Sequence, residues 1–466
     1  MTTVPFPIVG PTYTNRSLPV SSQQTQNFYI EVNPQGTEPI SLMPFPGLKL
    51  FATTGSGVGR GVGVFDDVFY TITGNTLYSV DASKVSTSIG TIDGIGRCNL
   101  QEDTINLVIA TGTGKPYTYD GTTLTQGTDI DLANSATVTY LNRRVIYDGN
   151  NADIIFADLD APLTVNSANV SSADTHPDNM LAVFSHNQQV FACGAESIEP
   201  WYNSGVGNPP YSIVNNAVKE IGIGAVYSIG QNKAFTYFLG SDLMPYRLSG
   251  LTLTAIGNPA IGQAIANYPD TSDAYGMCFT FDNQEFYLLS FPGGNATWLF
   301  NENAKLWTSL ANGTGGDQHL ISDHAFVYGK HLVSDRTNGN IYELDFNTYQ
   351  DNSEVIQRRR DTFSIDGGTF GREGARVFMD KLKLRIDPGV SLVTAESSII
   401  MQYSDDNGRS WSSERWAPIG DQGEYGYIVE WLGLGMFYNR MFRFTMSDAI
   451  RWTLLSAAAD VELDLG

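Results

Sequence analysis

The sequence predicts an all-β protein in which a β-propeller of six or seven blades is followed by a C-terminal β-sandwich. The 466 residues include 47 glycines and 12% aromatic residues, and only 16% are charged, which suits strands and tight turns better than helices. From residue 58 onwards, short alternating apolar runs are separated by Gly-Asn, Asp-Gly and Gly-Gly pairs, which is typical of hairpins. After residue 350 the runs become longer and basic residues become more frequent.

The hairpins of the central region recur at a regular interval. Seven aromatic anchors have a mean spacing of about 44 residues, within the roughly 40–50 residues of a four-stranded propeller blade. The repeats are degenerate, so six blades and seven blades are both compatible with the pattern. The anchors are Tyr78, Tyr119, Phe156, Trp201, Tyr246, Trp298 and Tyr342.

Three segments are expected along the chain. Residues 1–57, with eight prolines before residue 47, predict an extended N-terminal arm that leads into a first closing strand. Either NFYIEV (27–32) or ISLMPF (40–45) is expected to pair with the last blade and close the ring. Residues 58–354 form the predicted propeller and residues 355–466 the predicted sandwich, where KLKLRI and MFRFTM alternate as half-buried strands do.

The net charge of −22 argues against a protein that grips nucleic acid, because neutralising phosphates requires a basic face. It does not argue against DNA sliding past. Cys98, Cys193 and Cys278 are far apart, and we expect them to be buried, reduced thiols in a chain made in a cytoplasm. The first residues lack the pattern of a signal peptide, and no run of 18 apolar residues predicts a membrane span.

The stretch SDDNGRSW (404–411) has the S-x-D-x-G-x-[ST]-W spacing of the Asp box, a hairpin seen in sialidases and other sugar-cleaving propellers. Ser404 and Asp406 are expected to bond backbone amides of the turn, and Gly408 to adopt a conformation that is costly for other residues. Trp411 is expected to pack under the hairpin. Since every position has a structural task, we predict a structural hairpin.

A glycosidase is disfavoured by what the rest of the chain contains. Such an enzyme needs a pair of carboxylates across a cleft, and a sialidase also needs several arginines to hold its substrate. The propeller region is poor in arginine, and no nucleophile with a matching base can be identified from spacing. We therefore predict that the protein is not an enzyme and that it has no catalytic residue and no cofactor. The arginines of the propeller region are Arg60, Arg97, Arg143, Arg144, Arg247 and Arg336.

Two other patterns have plain interpretations. His319, His324 and His331 lie close together in sequence, but their spacing matches no metal-ligand motif, and they are interpreted as turn and surface residues. On strands, His319 and His324 would face opposite sides. The alternating glycines of GSGVGRGVG (55–63) do not follow a nucleotide-binding pattern, and are interpreted as strand or turn glycines.

Arg358, Arg359 and Arg360 form the only basic triplet. In so acidic a chain, the triplet could dock on an acidic neighbour. It could equally be an exposed strand edge that its charge protects from pairing. The sequence leaves both interpretations open.

Two stretches of the chain look familiar when they are taken together. The first runs from QNFYIE (26–31) through PFPGL (44–48) to Arg60 and Gly61. The second runs from EGARVFMDKLKLRIDPG (373–389) through SDDNGRSW to the final strand AAADVEL (457–463). In their order, and across essentially the whole chain, they resemble the packaged-DNA-stabilising tail accessory proteins of short-tailed bacteriophages, also called tail hub or nozzle proteins.

The resemblance implies a structural virion protein that lacks catalytic residues. Such proteins form a hexameric ring below the portal and the head-to-tail adaptor, help to retain packaged DNA, and let it pass at ejection. The implied partners are further copies of the chain, the adaptor and portal proteins, and tail needle, fibre or spike proteins, without any membrane. The implied location is the virion tail, assembled in the host cytoplasm. Because an acidic lining repels phosphates, much of the negative charge is expected to face the lumen.

The alternative function is a carbohydrate-binding or glycoside-cleaving propeller. The two functions differ in their expected state of association. A tail protein should form rings, alone or with an adaptor, whereas an enzyme or a lectin should be a monomer or a small oligomer.

Overall fold

The structure, a computed structural model, describes residues 1–18, 21–36, 38–132, 134–173, 175–176, 178–387, 397–420, 424 and 426–464. The predicted all-β class is confirmed: 44 strands form eight sheets in this part of the chain. They are accompanied by the α-helix α1 (Pro259–Ala266) and three short 3-10 helices, Ser167–Asn169, Val226–Ser228 and Gly368–Phe370. The strands that precede the propeller blades along the chain are β1 (Thr2–Phe6), β2 (Tyr13–Thr14), β3 (Ser22–Gln26), β4 (Phe28–Val32), β5 (Ile40–Pro44) and β6 (Gly47–Thr53).

Seven blades follow, so the count left open by the sequence is seven. Each blade has four antiparallel strands, and the first strand of each blade lies nearest the axis. Blade 1 consists of β7 (Gly59–Phe65), β8 (Val68–Thr73), β9 (Thr76–Val80) and β10 (Ser86–Thr91), and blade 2 of β11 (Asn99–Glu102), β12 (Leu107–Ala110), β13 (Tyr117–Tyr119) and β14 (Leu124–Gln126). Blade 3 consists of β15 (Val138–Leu141), β16 (Arg144–Asp148), β17 (Asp153–Phe156) and β18 (Val170–Ser172), and blade 4 of β19 (Met180–His186), β20 (Gln189–Gly194), β21 (Ile198–Asn203) and β22 (Tyr211–Ile213).

The remaining blades complete the ring. Strand β31 adds a short extension to blade 6, and the last blade takes its fourth strand from the N-terminal segment. Blade 5 consists of β23 (Gly230–Gln231), β24 (Thr236–Leu239), β25 (Pro245–Ser249) and β26 (Thr252–Ala255). Blade 6 consists of β27 (Tyr275–Phe281), β28 (Gln284–Phe291), β29 (Ala296–Asn301) and β30 (Leu306–Asn312), with β31 (Asp317–Gln318) as its extension. Blade 7 consists of β32 (Ile321–Val327), β33 (Lys330–Asp335), β34 (Asn340–Asp345) and β6.

The seven aromatic anchors mark the repeat correctly. Each lies in a different blade, and each lies on the third strand of that blade, from Tyr78 on β9 to Tyr342 on β34. Short hairpins set the spacing between inner strands. In five blades the first two strands are joined by two residues with positive φ, a conformation that fits the twist of a tight hairpin and favours Asn, Asp and Gly. These pairs are Asp66–Asp67, Asn142–Arg143, Asn187–Gln188, Asp282–Asn283 and Tyr328–Gly329.

The ring is closed by an N-terminal strand, but not by either segment expected from the sequence. Strand β6 pairs antiparallel with β34, from Gly47 opposite Asp345 to Thr53 opposite Asn340. The two expected segments pair with each other as the β4–β5 hairpin, which joins the sandwich. Pro46 lies between β5 and β6 and interrupts the extended pairing, so the two consecutive strands enter different sheets.

Apolar contacts between neighbouring blades hold the propeller together. Seven separate hydrophobic clusters are present, and each joins one blade to the next around the ring. The cluster between blade 7 and blade 1 contains Phe51 and Ala52 of the closing strand together with Phe69 and Val80 of blade 1. The N-terminal strand therefore supplies packing as well as hydrogen bonds at the point of closure.

The C-terminal strands form the predicted sandwich. One sheet has the order β4-β5-β44-β39-β42, with β1 paired to β44. The other contains β37, β43, β40 and β41, and the two sheets enclose a core that includes Trp431 and Trp452. The short strands β35 (Gln350–Asp351) and β36 (Glu354–Val355) precede the sandwich and join the sheet of blade 7. The strands that follow are β37 (Arg358–Asp361), β38 (Ile365–Asp366), β39 (Arg376–Asp387), β40 (Ser398–Ser404), β41 (Arg415–Pro418), β42 (Ile428–Phe437), β43 (Asn439–Met446) and β44 (Thr453–Asp464).

The N-terminal arm is divided between the two domains rather than forming a separate extended segment. Strands β1, β4 and β5 belong to the sandwich, and β6 belongs to the propeller. The hairpin β35–β36, which spans the expected boundary at residues 354 and 355, lies beside the closing strand. The N-terminal arm therefore contributes strands to both domains, and the segment that leads into the sandwich packs beside the strand that closes the propeller.

Candidate functional site: the junction of propeller and sandwich

The propeller and the sandwich share one continuous sheet. Strand β3 lies between β30 of blade 6 and β37 of the sandwich. It pairs antiparallel with β37 over residues 24–26, and it meets β30 where Gln26 lies opposite Ser309. On its other side, β37 pairs with β43. The arginine triplet on β37 therefore lies inside a sheet.

The Arg360 side chain is fully buried and holds the N-terminal arm. Its Nε donates a hydrogen bond to the Ile8 carbonyl at 2.6 Å, and its Nη1 donates to the Thr25 hydroxyl at 2.9 Å. Nη1 also donates to the Pro11 carbonyl at 3.2 Å, and Nη2 donates to Gln23 Oε1 at 3.0 Å. Burial lowers the pKa of Arg360 to about 9. Arg360 thus connects the sandwich to four residues of the arm.

Arg358 is also buried, beside the closing strand. Its Nη2 donates to the Phe45 carbonyl at 3.4 Å, and its guanidinium carbon lies 5.7 Å from the centroid of the Tyr349 ring. The buried Asp351 accepts a hydrogen bond from the Leu48 amide at 3.2 Å. Burial raises the pKa of Asp351 to about 7, although the charge of Arg358 opposes the rise. This group of contacts connects the sandwich to β6.

Arg359 is the exposed member of the triplet, with 24% of its side chain accessible. Its Nε donates to Asp361 Oδ1 at 2.9 Å, and its Nη2 donates to Oδ2. Arg443 of β43 binds the same carboxylate through Nε at 2.9 Å and Nη2 at 3.0 Å. Burial alone would raise the pKa of Asp361, but the hydrogen bonds from both guanidinium groups lower it below its ordinary value.

Both interpretations of the triplet are therefore wrong for Arg358 and Arg360. Neither side chain is available to dock on a neighbour, because each is at most 1% exposed. Strand β37 is not an edge, because it pairs on both sides. The cause is non-local: strands that are more than 300 residues apart in sequence come together around these side chains. Of the three, only Arg359 is partly exposed, and its guanidinium is paired with Asp361.

The Asp box is a closed hairpin at one end of β40. The Ser404 hydroxyl donates to Asp406 Oδ1 at 2.7 Å and accepts from the Gly408 amide at 2.8 Å. Asp406 Oδ1 also accepts from the Ser410 amide at 2.9 Å. Gly408 has a φ of +86°, which a side chain would strain. Hydrogen bonds from Ser410 and Ser404 hold the pKa of Asp406 well below its usual range.

The Asp box and the arginine triplet belong to one network. The guanidinium carbon of Arg443 lies 3.6 Å from the centroid of the Trp411 ring, and Arg443 also binds Asp361 beside the triplet. Cation–π contact and a two-point ion pair both favour arginine here over lysine. The two motifs are therefore connected through Arg443, which contacts Trp411 of the Asp box and the carboxylate that Arg359 of the triplet also binds.

Sequence reasoning missed a second ion pair in this hairpin. Arg440 Nε lies 2.6 Å from Asp405 Oδ1, and Arg440 Nη2 lies 2.7 Å from Asp405 Oδ2. The Arg440 guanidinium also lies over the Tyr403 ring, 4.0 Å from its centroid. The signal available was the first aspartate of SDDNG, Asp405, which the Asp box motif does not require.

The histidines are not the turn and surface group that the sequence suggested. His319 is buried before β32, with Nε2 3.8 Å from Asp351 Oδ2, and burial lowers its pKa to about 4. His324 and His331 are half-buried on adjacent strands, and His324 Nε2 lies 2.9 Å from His331 Nδ1. Within the described ranges, no three His, Cys, Asp or Glu side chains are grouped so that they could hold a metal ion.

The inner strands of the propeller converge on a small cavity of about 170 Å³, whose lining includes Arg97, Gln101, Gln231 and Asp323. The alternating glycines of β7 allow this close approach. A Cβ atom on Gly61 would lie 2.5 Å from a carbonyl oxygen of the next blade. A DNA duplex does not fit this cavity, which is smaller than the roughly 300–1,000 Å³ of pockets that hold drug-sized ligands.

These features define a two-domain structural protein, in which a closed propeller is joined to a sandwich through shared strands. The protein-family model of the bacteriophage P22 Gp10 β-propeller matches residues 3–349 of the chain, and the family model of the Gp10 β-sandwich matches residues 362–462. The chain therefore belongs to the family of bacteriophage P22 Gp10. This confirms the resemblance and the order of the two domains, and makes the chain a phage structural protein of the virion tail. No curated protein matches the chain.

Several solved structures are similar to part of the fold. The designed Ika8 protein has a TM-score of 0.41 and 10% identity, covering 64% of this chain and 99% of its own. The WD40 domain of Neurospora crassa Pan2 has a TM-score of 0.43 and 6% identity, covering 65% and 97%. The extracellular domain of BT4673 from B. thetaiotaomicron has a TM-score of 0.45 and 11% identity, covering 81% and 48%.

Proposed function

We propose that this protein forms a hexameric ring in the tail channel of a short-tailed phage, retains the packaged DNA there, and gives it passage at ejection. Membership of the Gp10 family is the observation that carries the proposal. Its partners in this role are other copies of the chain, the head-to-tail adaptor and portal proteins, and tail needle, fibre or spike proteins. Among the described residues, no helix has the length and apolar character needed to cross a membrane.

The path of DNA in this proposal runs between subunits. The cavity at the propeller axis, about 170 Å³, is far too small for a duplex, so a passage requires a ring of several copies. The net charge of −22 supports a lining that repels phosphates and lets DNA slide without specific binding. The joined domains support the same role, because a ring under load needs subunits that do not bend at a linker.

The contact between subunits is proposed to use one edge of the sandwich. Strands β42 and β41 are the last strands of their sheets, and they carry or adjoin five exposed apolar side chains. An exposed apolar strand edge is a template for pairing with another chain. We refer to these residues as the sandwich patch: Trp416 (63% exposed), Ile428 (49%), Leu432 (55%), Met436 (49%) and Tyr438 (61%).

The test is the mass of the purified chain by light scattering, with negative-stain images of the same peak, alone and with the adaptor. We expect rings of six subunits with a central hole wide enough for duplex DNA. A monomer under both conditions would overturn the ring. A measured lumen that is neutral or basic would overturn the proposed acidic lining.

A double variant locates the contact. Leu432→Lys with Met436→Lys places two charges on the sandwich patch, and we expect it to prevent ring formation. Ile130→Lys, at an 80% exposed propeller position, is the matched control and should leave the ring intact. Rings that persist in the double variant would show that the contact lies elsewhere.

A further inference from the structure

One cavity of the described structure lies beside the junction strand β3, on the outer side of blade 6. It has a volume of about 350 Å³, within the roughly 300–1,000 Å³ of ordinary ligand pockets. Its walls come from the arm strands β2 and β3, from helix α1, and from the outer strands β29 and β30 of blade 6. Three separate parts of the chain therefore form one concave site.

The lining of this cavity contains no charged side chain, although the chain has a net charge of −22. Three other cavities each include charged residues: Arg97 with Asp323, Asp282 with Arg451, and Arg336 with Asp273. A charged ligand entering the uncharged cavity would lose hydration without gaining a counter-charge. The site therefore favours a neutral ligand.

Four amide side chains offer hydrogen bonds to such a ligand. Gln24 and Gln26 lie on one wall, and their only side-chain hydrogen bond within the described part of the chain is a 3.4 Å contact between Gln24 Nε2 and Gln26 Oε1. Gln263 and Asn267 lie on the α1 wall, and among the described residues no group bonds either side chain. Each amide both donates and accepts, which matches a hydroxyl group that does the same.

One aromatic ring completes the lining. The indole of Trp298 is half-buried, and its Nε1 donates to the Tyr268 hydroxyl at 2.9 Å, which fixes the ring. Small residues open the space beside it, including Ala264, Ala296 and Ala311. A rigid aromatic surface next to free amides suits a ligand with an apolar face and hydroxyl groups at its edge.

We infer that this cavity binds a neutral saccharide. Hydrolysis is not part of the inference, because glycoside cleavage requires a pair of carboxyl groups and the cavity is lined by none. The site is thus a binding site and not an active site. It adds an activity to the proposed structural role, and it holds whether or not the subunits form a ring.

The test is saturation-transfer NMR on the full chain with four neutral hexasaccharides (maltohexaose, cellohexaose, mannohexaose and hexa-N-acetylchitohexaose) and with hexagalacturonate as the charged probe. We expect transfer to at least one neutral probe and none to the charged one. Transfer to none of the neutral probes, or equal transfer to hexagalacturonate, would overturn the inference. The ring is measured separately by mass, so failure of one proposal does not imply failure of the other.

Variants of the lining residues test whether the saturation transfer arises from binding in this cavity. Gln263→Leu with Asn267→Leu should weaken binding by roughly tenfold or more, because two hydrogen-bonding groups are lost. Gln24→Leu, on the opposite wall, provides an independent test if the helix variant does not fold. Gln126→Leu changes an exposed amide on blade 2 and should bind as the wild type does. Undiminished transfer in both cavity variants would contradict the site.

Discussion

The propeller and the junction are stabilised by different kinds of interaction. In the propeller, six of the seven hydrophobic clusters join blades that are adjacent in sequence, and the seventh joins blade 7 to blade 1 where the ring closes. At the junction, Arg360 bonds residues as distant as Ile8, which is 352 positions away. The propeller is stabilised by buried apolar surface to which many residues contribute. The junction is stabilised by a few buried charged side chains, each with specific partners. A change at the junction is therefore expected to act through single residues, and a change in the propeller through the loss of packing.

The largest effect is expected from Arg360→Met. The variant leaves the Ile8 and Pro11 carbonyls and the Thr25 hydroxyl without their donor in a buried site. We expect the apparent free energy of unfolding to fall by about 3–5 kcal/mol, because breaking a buried charged group from its partners is strongly destabilising. Denaturant unfolding followed by tryptophan fluorescence, with limited proteolysis of the arm, measures the loss.

Arg359→Met is the matched control for this variant. Its side chain is partly exposed, and Asp361 keeps the two hydrogen bonds from Arg443 when Arg359 is removed. We expect a loss of about 1 kcal/mol or less. Equal losses in the two variants would contradict the assignment of Arg360 as the residue that holds the arm.

The next effect tests the closing strand. Leu48→Ala removes a fully buried side chain of β6 from the cluster between blades 6 and 7, and should cost about 2–5 kcal/mol. Leu50→Ala, on the same strand but 43% exposed, should change stability by no more than about 0.5 kcal/mol. Thermal unfolding of both variants measures the difference, and similar melting temperatures would show that β6 does not close the ring.

A third experiment concerns pH at the junction. The pKa of Asp351 is raised to about 7 in the folded protein, chiefly by burial, while in the unfolded chain it is close to the ordinary value. Its contribution to stability is therefore full below about pH 4 and is lost as the pH rises towards 7.

The variant Asp351→Asn isolates this contribution. The stability advantage of the wild type over the variant should shrink between pH 4.5 and pH 7.5, by more than about 1.4 kcal/mol, the equivalent of one pKa unit. Comparing the two proteins at each pH cancels the pH dependence of groups that lie away from residue 351. His319, whose pKa is lowered to about 4 and whose Nε2 lies 3.8 Å from Asp351 Oδ2, has the opposite dependence, so Asp351→Asn is also made in a His319→Gln background. An advantage that grows with pH would mean that Asp351 is stabilised as a carboxylate.

The smallest effect is expected in the Asp box. Asp406→Ala removes the acceptor of the Ser410 amide, so hydrogen exchange of that amide should accelerate while the global melting temperature changes little. In the wild type, the lowered pKa of Asp406 should preserve the protection of this amide below the ordinary aspartate pKa, until still more acidic pH protonates the side chain. Loss of the whole sandwich in this variant would show that the hairpin does more than close itself.

Much of the propeller could be derived from the sequence because its interactions are local. The turn pairs such as Asp282–Asn283 join strands that are neighbours in the chain, and the aromatic anchors repeat on the third strand of every blade. The choice of closing strand could not be derived, because β4, β5 and β6 all have apolar residues and only the available sheet edges separate them.

The sequence by itself determined the all-β class, the order of the domains, the recurring blades and the internal hairpin of the Asp box. Only the tertiary structure decided the count of seven blades, the closing strand, the burial of Arg358 and Arg360, and the uncharged cavity beside blade 6. The reason is physical: turn chemistry and alternation act over a few residues. The environment of a charged or amide side chain is set instead by strands that can be hundreds of residues away in sequence. A basic triplet therefore has the same local sequence pattern whether the folded protein exposes it or buries it.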